Sequence, residues 1–337
     1  MKFEVPLLAV KGESSGRVGW FARVAKAAIV VMAMLWAAAV PTTLGAPAPA
    51  STFASGDYVL SQESPQARQQ EQSRSAGSFI FHLTRTGQID VMSKPPQITA
   101  PRGIRALGGD RFVFADALGG AIRIVTAWGA ITTLHSGAPL TEPKDVAADR
   151  GGGYVIADFD TFKANAHGSI FKLTDAGKIT TVASGPPLRW PHGIDVDAEG
   201  NYIVADHSGS VFRVSPQGKV TTVATGAPLV APTDVKVDKD GNYIVTDIGI
   251  VLDENGRMDL EKSRHPGTLF KITSDGQVST IARRPMARFR AVALHPDGGY
   301  VVVDFNSALY RIMADGNITV LFQGPPLHQP SGIAIVP

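Results

Sequence analysis

One seven-residue phrase recurs along the chain and constrains it more than any other feature. It reads Gly200-Asn-Tyr-Ile-Val-Ala-Asp206 and returns as Gly241-Asn-Tyr-Ile-Val-Thr-Asp247. Looser copies are Gly152-Gly-Tyr-Val-Ile-Ala-Asp158, Gly298-Gly-Tyr-Val-Val-Val-Asp304 and Asp110-Arg-Phe-Val-Phe-Ala-Asp116. Gly56-Asp-Tyr-Val-Leu-Ser-Gln62 is a degenerate first copy, which makes six. A Pro-x-Gly/Asp-Ile/Val phrase precedes the copies at Pro101, Pro143, Pro191 and Pro232 and recurs at Pro330. Phe289-Arg-Ala-Val292 fills the remaining place. An amphipathic run such as Ser210-Val-Phe-Arg-Val214 follows each copy, then a Gly turn, then a run such as Lys219-Val-Thr-Thr-Val-Ala224. Many units close with Gly-Ala/Pro-Pro-Leu, as at Gly226-Ala-Pro-Leu229.

Each unit thus holds four short β-branched or aromatic runs bounded by Gly, Pro, Asp or Asn, the pattern of four strands joined by tight turns. One four-stranded sheet cannot bury both faces alone, whereas copies packed around an axis can. The repeat therefore predicts an all-β, six-bladed β-propeller, with strands a to d running from the axis outward. After its leader the chain begins at a b strand (Tyr58–Ser61) and ends at an a strand, Gly332-Ile-Ala-Ile-Val336. Supplying that last strand to the first blade closes the ring, so residues 51–337 read as a single propeller domain. Successive markers, from Gln62 to Asp304, are 54, 42, 48, 41 and 57 residues apart. Blades 1, 3 and 5 hold the extra length, between strands b and c, at Gln62–Ala76, Phe159–His167 and Ile248–Pro266. These long loops are expected on one mouth of the channel, and long loops on a rigid scaffold usually carry function.

Residues 1–50 differ from the rest. Lys2, Lys11, Arg17, Arg23 and Lys26 precede an unbroken apolar run, Ala27–Val40, followed by small residues and prolines. This is the layout of a secretory signal with a small-residue spacer, and the run is shorter than the roughly 20 residues of a membrane span. Export to the periplasm or medium is the expectation, with an uncleaved N-terminal anchor as the alternative and no membrane span once the leader is removed. The leader holds five of the 32 basic and two of the 30 acidic residues, which leaves 27 against 28, a formal net of −1. No general nucleic-acid surface is implied. The chain has no Cys, which excludes disulfides, thiolate metal sites and a Cys nucleophile. A monomer is expected.

Three groups of residues could carry chemistry. The second residues of the strand-a phrases, after Pro or after Phe289, are Arg102, Lys144, His192, Thr233, Arg290 and Ser331. Ringed around the mouth, Arg102, Lys144 and Arg290 suit an anionic small molecule, a carboxylate, phosphate or sulfate, or a partner protein. Alternatively these cations pair with neighbouring b-strand Asp residues. The Asp set is Asp116, Asp158, Asp206, Asp247 and Asp304. Converging carboxylates suit a hard divalent cation, calcium or magnesium, with Asp158, Asp206 and Asp247 as candidate ligands. Alternatively each accepts backbone N–H bonds at its strand end. Blade 4 carries Pro191-His192-Gly193 and Asp206-His207-Ser208. His192 and His207 are candidate catalytic residues, since imidazole moves protons near neutral pH. Asp253-Glu-Asn-Gly256 reads first as a turn. No Gly-x-Ser-x-Gly, phosphate loop or dinucleotide fingerprint is present, so no nucleotide or flavin is expected.

The phrase Pro191-His-Gly-Ile-Asp-Val-Asp through Gly200-Asn-Tyr-Ile-Val-Ala-Asp206 resembles the NHL repeat. It is also similar to the six-bladed propellers of the SMP-30/gluconolactonase and streptogramin (virginiamycin B) lyase families. The resemblance covers about residues 56–337. The lyase family implies a metal near the mouth, held in part by acidic residues ending b strands, with a His close by; Asp206 and His192 occupy such places. The b strands here end in Asp rather than Trp-Phe-Thr-Glu, and one strand-a opening alone carries His. The early metal-binding Glu of the gluconolactonases has only Glu63 as a stand-in. Two functions are therefore expected. One is a metal-assisted lyase or lactone/ester hydrolase at the mouth. The other is a non-catalytic module that binds an anionic ligand or partner protein.

Overall fold

The structure, a computed structural model, describes residues 53–63, 77–159, 167–251, 259, 263 and 265–337. The leader and most of the three long b–c segments lie outside those residues. Blade 1 starts with β1 (Tyr58–Gln62), β2 (Phe79–Leu83) and β3 (Ile89–Ser93). Blade 2 is β4 (Pro101–Gly108), β5 (Arg111–Asp116), β6 (Ala121–Thr126) and β7 (Ile131–Ser136). Blade 3 is β8 (Pro143–Ala148), β9 (Tyr154–Asp158), β10 (Ser169–Leu173) and β11 (Ile179–Ser184). Blade 4 is β12 (Pro191–Val196), β13 (Tyr202–Asp206), β14 (Ser210–Val214) and β15 (Val220–Thr225). Blade 5 is β16 (Pro232–Val237), β17 (Tyr243–Asp247), β18 (Gly267–Ile272) and β19 (Val278–Arg284). Blade 6 is β20 (Phe289–Leu294), β21 (Tyr300–Asp304), β22 (Ala308–Ile312) and β23 (Ile318–Gln323). The last strand, β24 (Pro330–Ile335), pairs with β1, so that blade 1 reads β24-β1-β2-β3 and the ring closes. The fold is the six-bladed propeller that the repeat predicts.

Burial explains the residue pattern of each strand. The b strands β9, β13 and β17 are buried at every position, so they read as unbroken apolar runs rather than as alternation. The outermost strands β11 and β15 expose their paired threonines. Six apolar clusters hold the ring, each shared by two neighbouring blades. Between blades 3 and 4, for example, Val155, Ala157 and Ile170 meet Ile194, Val204 and Phe212. Between blades 6 and 1, Leu60, Phe81 and Ile333 meet Val301, Val303 and Leu309. The a–b turns of blades 4 and 5 are set by an Asp that binds back to the nearby backbone. Asp197 Oδ1 accepts the Asn201 amide at 2.7 Å, and Gly200 between them has φ +83°.

One irregularity is repeated in every blade. In the a–b pairing of blade 4, Pro191 opposes Asp206 and Gly193 opposes Ala205, so His192 is left unpaired in a β-bulge. Blades 1, 3, 5 and 6 bulge at Ser331, Lys144, Thr233 and Arg290, and blade 2 bulges between Pro101 and Ile104. Proline suits the start of strand a in the other five blades, blade 6 starting with Phe289, because it has no N–H to give the ladder. The bulge then re-aims the residue that follows.

Candidate functional site

The bulge residues form an inner ring at the mouth. A second ring comes from the residue just after each b-strand end: Glu63, Ala117, Phe159, His207, Ile248 and Phe305. The two rings meet within blades 3, 4 and 6. Lys144 Nζ lies 4.5 Å from the Phe159 ring centroid, His192 stacks on His207 with centroids 5.6 Å apart, and the Arg290 guanidinium lies 5.1 Å from the Phe305 ring. One ion pair crosses between blades, from Arg102 to Glu63. Lys144 is paired with Glu142. Arg290 is buried yet meets no carboxylate among the described residues, and its Nε has no hydrogen-bond partner. The three basic residues picked out from the sequence thus share the mouth but differ in state. Two are ion-paired and one is not. The pairing partners are glutamates, not the b-strand aspartates.

Those aspartates are anchors for the connection that leads into strand a. Asp206 accepts the amides of Arg189 (3.0 Å) and Trp190 (3.0 Å), then the amide and hydroxyl of Ser208 (3.0 and 2.6 Å). Asp247 accepts Val230 (2.7 Å), Ala231 (3.0 Å) and Gly249 (2.8 Å). Asp158 accepts Thr141 (2.9 Å) and Glu142 (3.3 Å). Asp116 and Asp304 do the same for Ala100 and Arg288. Even the degenerate copy keeps the role, since Gln62 Oε1 accepts the His328 amide at 2.6 Å. Burial raises Asp206 and Asp247 above the ordinary carboxylate value, with these hydrogen bonds opposing it. Asp158, Asp206 and Asp247 therefore do not converge on one point. Among the described residues no group of three His, Asp or Glu side chains could hold a metal ion. The donor set, whose oxygens already accept backbone amides, does not fit the calcium or magnesium site expected for these three residues.

The two histidines do come together. His192 Nδ1 lies 2.8 Å from the Thr233 carbonyl oxygen. A carbonyl only accepts, so Nδ1 carries the proton and Nε2 presents its lone pair. Nε2 has no hydrogen-bond partner among the described residues. Burial lowers His192 well below 6.5, and the His207 ring, Lys144 and Arg102 lower it further. Burial brings half-buried His207 down to about 4, with the Pro232 carbonyl opposing. Both rings are neutral at physiological pH. Phe159 meets His192 edge-on at 6.4 Å and lies 6.5 Å from Trp190, over whose ring the Arg189 guanidinium lies at 4.1 Å.

Below the mouth a charged layer crosses the axis. Arg105 Nη2 donates to Asp145 at 2.5 Å and lies 3.5 Å from Asp234, and Lys236 donates to Asp234 at 2.6 Å. Each Asp also reaches the next blade. Asp145 accepts the Ile194 amide and Asp234 accepts the Val292 amide, both at 3.0 Å. These amides lie two residues beyond His192 and Arg290, so the layer holds both mouth residues in register. A Cβ on Gly193 would stand 2.5 Å from the Asp234 Cα, which explains the Gly in Pro191-His-Gly beside the Asp in Pro232-Thr-Asp. Burial raises Asp145 to about 6, Arg105 opposes this, and Asp234 adds to it.

Sequence reasoning did not mark Asp145, Asp234 and Arg105 as a unit, nor Phe159, Phe305, Glu142 and Arg189 as mouth residues. The outer ring had a signal, the position after each marker Asp, at which only His207 was singled out. The axial layer had a weaker one, the Gly/Asp choice in the strand-a phrase.

No family model matches the chain, and no curated protein matches it in sequence. Solved structures match its fold. The structure of a nidogen/laminin complex contains a chain with 14% identity and a TM-score of 0.64, the match covering 84% of this chain and 99% of that one. A catalytically inactive His-to-Ala variant of virginiamycin B lyase from Staphylococcus aureus with quinupristin matches at 17% identity and a TM-score of 0.52, over 71% of this chain and 75% of that one. A gluconolactonase-family protein matches at 12% identity and a TM-score of 0.52, over 88% and 95%. The propeller groups that the repeat resembles are thus among the structural neighbours. Likeness at this level of identity establishes the fold and carries no activity with it.

Proposed function

We propose that this chain is an exported propeller that binds a small anionic molecule at the channel mouth, with Arg290 as the anchoring charge. The observation that supports this reading is the contrast among the three mouth cations. Arg102 and Lys144 have glutamate partners, whereas Arg290 rests on Phe305 without a carboxylate among the described residues. A charge withdrawn from water without a counter-charge is unfavourable by several kcal/mol, and an anion bound there restores the balance. His192 and Lys144 flank the same opening and complete a polar, aromatic-walled rim. The test is titration of wild-type protein and an Arg290→Gln variant with a carboxylate, a phosphate and a sulfate ligand at two salt concentrations. Binding that weakens with salt and is lost in the variant supports the reading. Salt-independent binding, or full affinity in Arg290→Gln, rejects it.

A second reading, a lyase or lactone/ester hydrolase, rests on His192 alone. Its Nε2 lone pair, fixed by the Thr233 carbonyl, is placed to accept a proton from a bound molecule. Turnover of a lactone and ester panel that disappears in His192→Ala while anion binding persists would support it. Absence of turnover across that panel leaves the binding reading alone.

A further inference from the structure

The connection from β19 to β20 reads Arg283-Arg-Pro-Met-Ala-Arg-Phe-Arg290, four arginines in eight residues. It departs from the Gly-Ala/Pro-Pro-Leu closing of other blades. None of the four forms an ion pair among the described residues. Arg283 donates to Thr280 Oγ1 at 3.3 Å, and the Arg284 guanidinium lies 4.8 Å from the Tyr310 ring centroid. Arg288 donates to the carbonyls of His265 (3.0 Å) and Ser263 (3.3 Å), and Arg290 lies on Phe305. The acidic side chain facing them, Asp304, is occupied by the Arg288 and Asn306 amides and the Tyr310 hydroxyl. Met286 stands at the tip of the connection, 85% exposed.

We propose that this connection is a docking track for an extended acidic peptide segment, laid across the boundary of blades 5 and 6 with one carboxylate on Arg290. The proposal rests on the anion reading of Arg290 and extends it from a small molecule to a chain. Charge supports it first. The part of the chain after the leader carries a formal net of −1, so four cations within eight residues, none ion-paired among the described residues, are a local concentration. Arginine clusters recognise acidic segments through planar, paired hydrogen bonds. Spacing supports it second. Arg284 ends the outermost strand of blade 5, and Arg290 lies on the innermost strand of blade 6. Within a four-stranded blade the outermost and innermost strands stand three spacings of about 4.8 Å apart, on the order of 14 Å, and the connection covers that radial step to reach blade 6. A single carboxylate cannot touch both. An extended peptide rises about 3.4 Å per residue, so acidic residues four apart match the two ends. Shape decides between a peptide and a lipid surface. Arg290 sits in the inner ring at 9% exposure, beyond the reach of a flat headgroup layer, and the guanidinium groups of Arg284 and Arg290 lie over aromatic rings.

Fluorescence anisotropy of the full chain with a labelled peptide Glu-Ser-Gly-Ser-Glu-Ser-Gly-Ser-Glu tests this. A control peptide of the same composition carries its glutamates side by side. The spaced peptide is expected to bind more tightly than the control. An Arg283→Gln/Arg284→Gln double variant is expected to weaken it at least tenfold while leaving acetate binding at Arg290 unchanged. Melting curves confirm that the variant, altered at the rim, stays folded. Equal binding of the two peptides, an unchanged affinity in the double variant, or tighter association with phosphatidylglycerol vesicles than with the peptide would overturn the proposal. Acetate binding without any gain for the peptide removes the track and leaves the anchoring role of Arg290. Failure of both acetate and peptide removes both.

Discussion

Arg105 donates to the Asp145 carboxylate at 2.5 Å and so ties blade 2 to its neighbour, blade 3. The same guanidinium lies 3.5 Å from Asp234 in blade 5. One cation thus compensates two buried carboxylates, with Lys236 helping at Asp234. Arg105→Met leaves that charge uncompensated, and removing one partner of a buried pair is unfavourable by about 3–5 kcal/mol. Denaturant unfolding of Arg105→Met is expected to show a loss of that order. Adding Asp145→Asn in the same chain is expected to recover part of it. Additive losses would show that the pair is not coupled.

Asp145 also fixes the sign of one pH effect. Its carboxyl is raised in the folded chain to about 6 from the ordinary value of 3.8. The folded state then holds its proton more tightly than the unfolded state. The associated stability is present below about pH 4 and is lost as the pH rises through 6. Wild-type protein is expected to gain stability relative to Asp145→Asn as the pH falls from 6 to 4, measured by melting temperature at each pH.

His207 acts in the opposite direction. Burial lowers it from 6.5 to about 4, so the folded state excludes a proton that the unfolded state binds. Its contribution is present above pH 6.5 and is lost as the pH falls through 4. Relative to His207→Asn, wild type is expected to lose stability across that window. A flat difference between the two would show that the ring is solvated rather than buried.

Asp206 holds three backbone amides and the Ser208 hydroxyl. Each buried N–H left without a partner is unfavourable by about 1–3 kcal/mol. Asp206→Ala is therefore expected to destabilise the chain by a few kcal/mol, equally with and without added calcium. Melting curves in calcium and in chelator check this. A calcium-dependent difference between wild type and variant would restore Asp206 as a metal ligand.

The ring depends on its last strand. β24 contributes Ile333 to the cluster between blades 6 and 1 and Ala334 to the cluster between blades 1 and 2. Deleting residues 330–337 also uncovers the inner edge of β1. The truncated chain is expected to unfold or associate through that edge, read by circular dichroism and size-exclusion chromatography.

The repeat made the architecture legible because each blade must satisfy the same local rules. Pro opens strand a, Asp closes strand b, and Gly turns the corner. Recurrence of those residues at a near-constant period leaves few alternatives to a ring. The inner mouth residues were legible for the same reason, since the bulge after the first residue of each strand a, Pro or Phe289, places Arg102, Lys144, His192 and Arg290 at equivalent positions. Their states were not legible. Whether a cation is matched depends on residues brought in from elsewhere, as Glu63 reaches Arg102 from another blade. The aspartates show the same limit, because their acceptor role appears only once the amides 16 or 17 residues upstream are folded against them. Sequence by itself determined the strands, their number and the closure, which follow from backbone preference and burial. Tertiary structure alone decided which charges are compensated, because electrostatic pairing is set by distance in space and not by position in the chain.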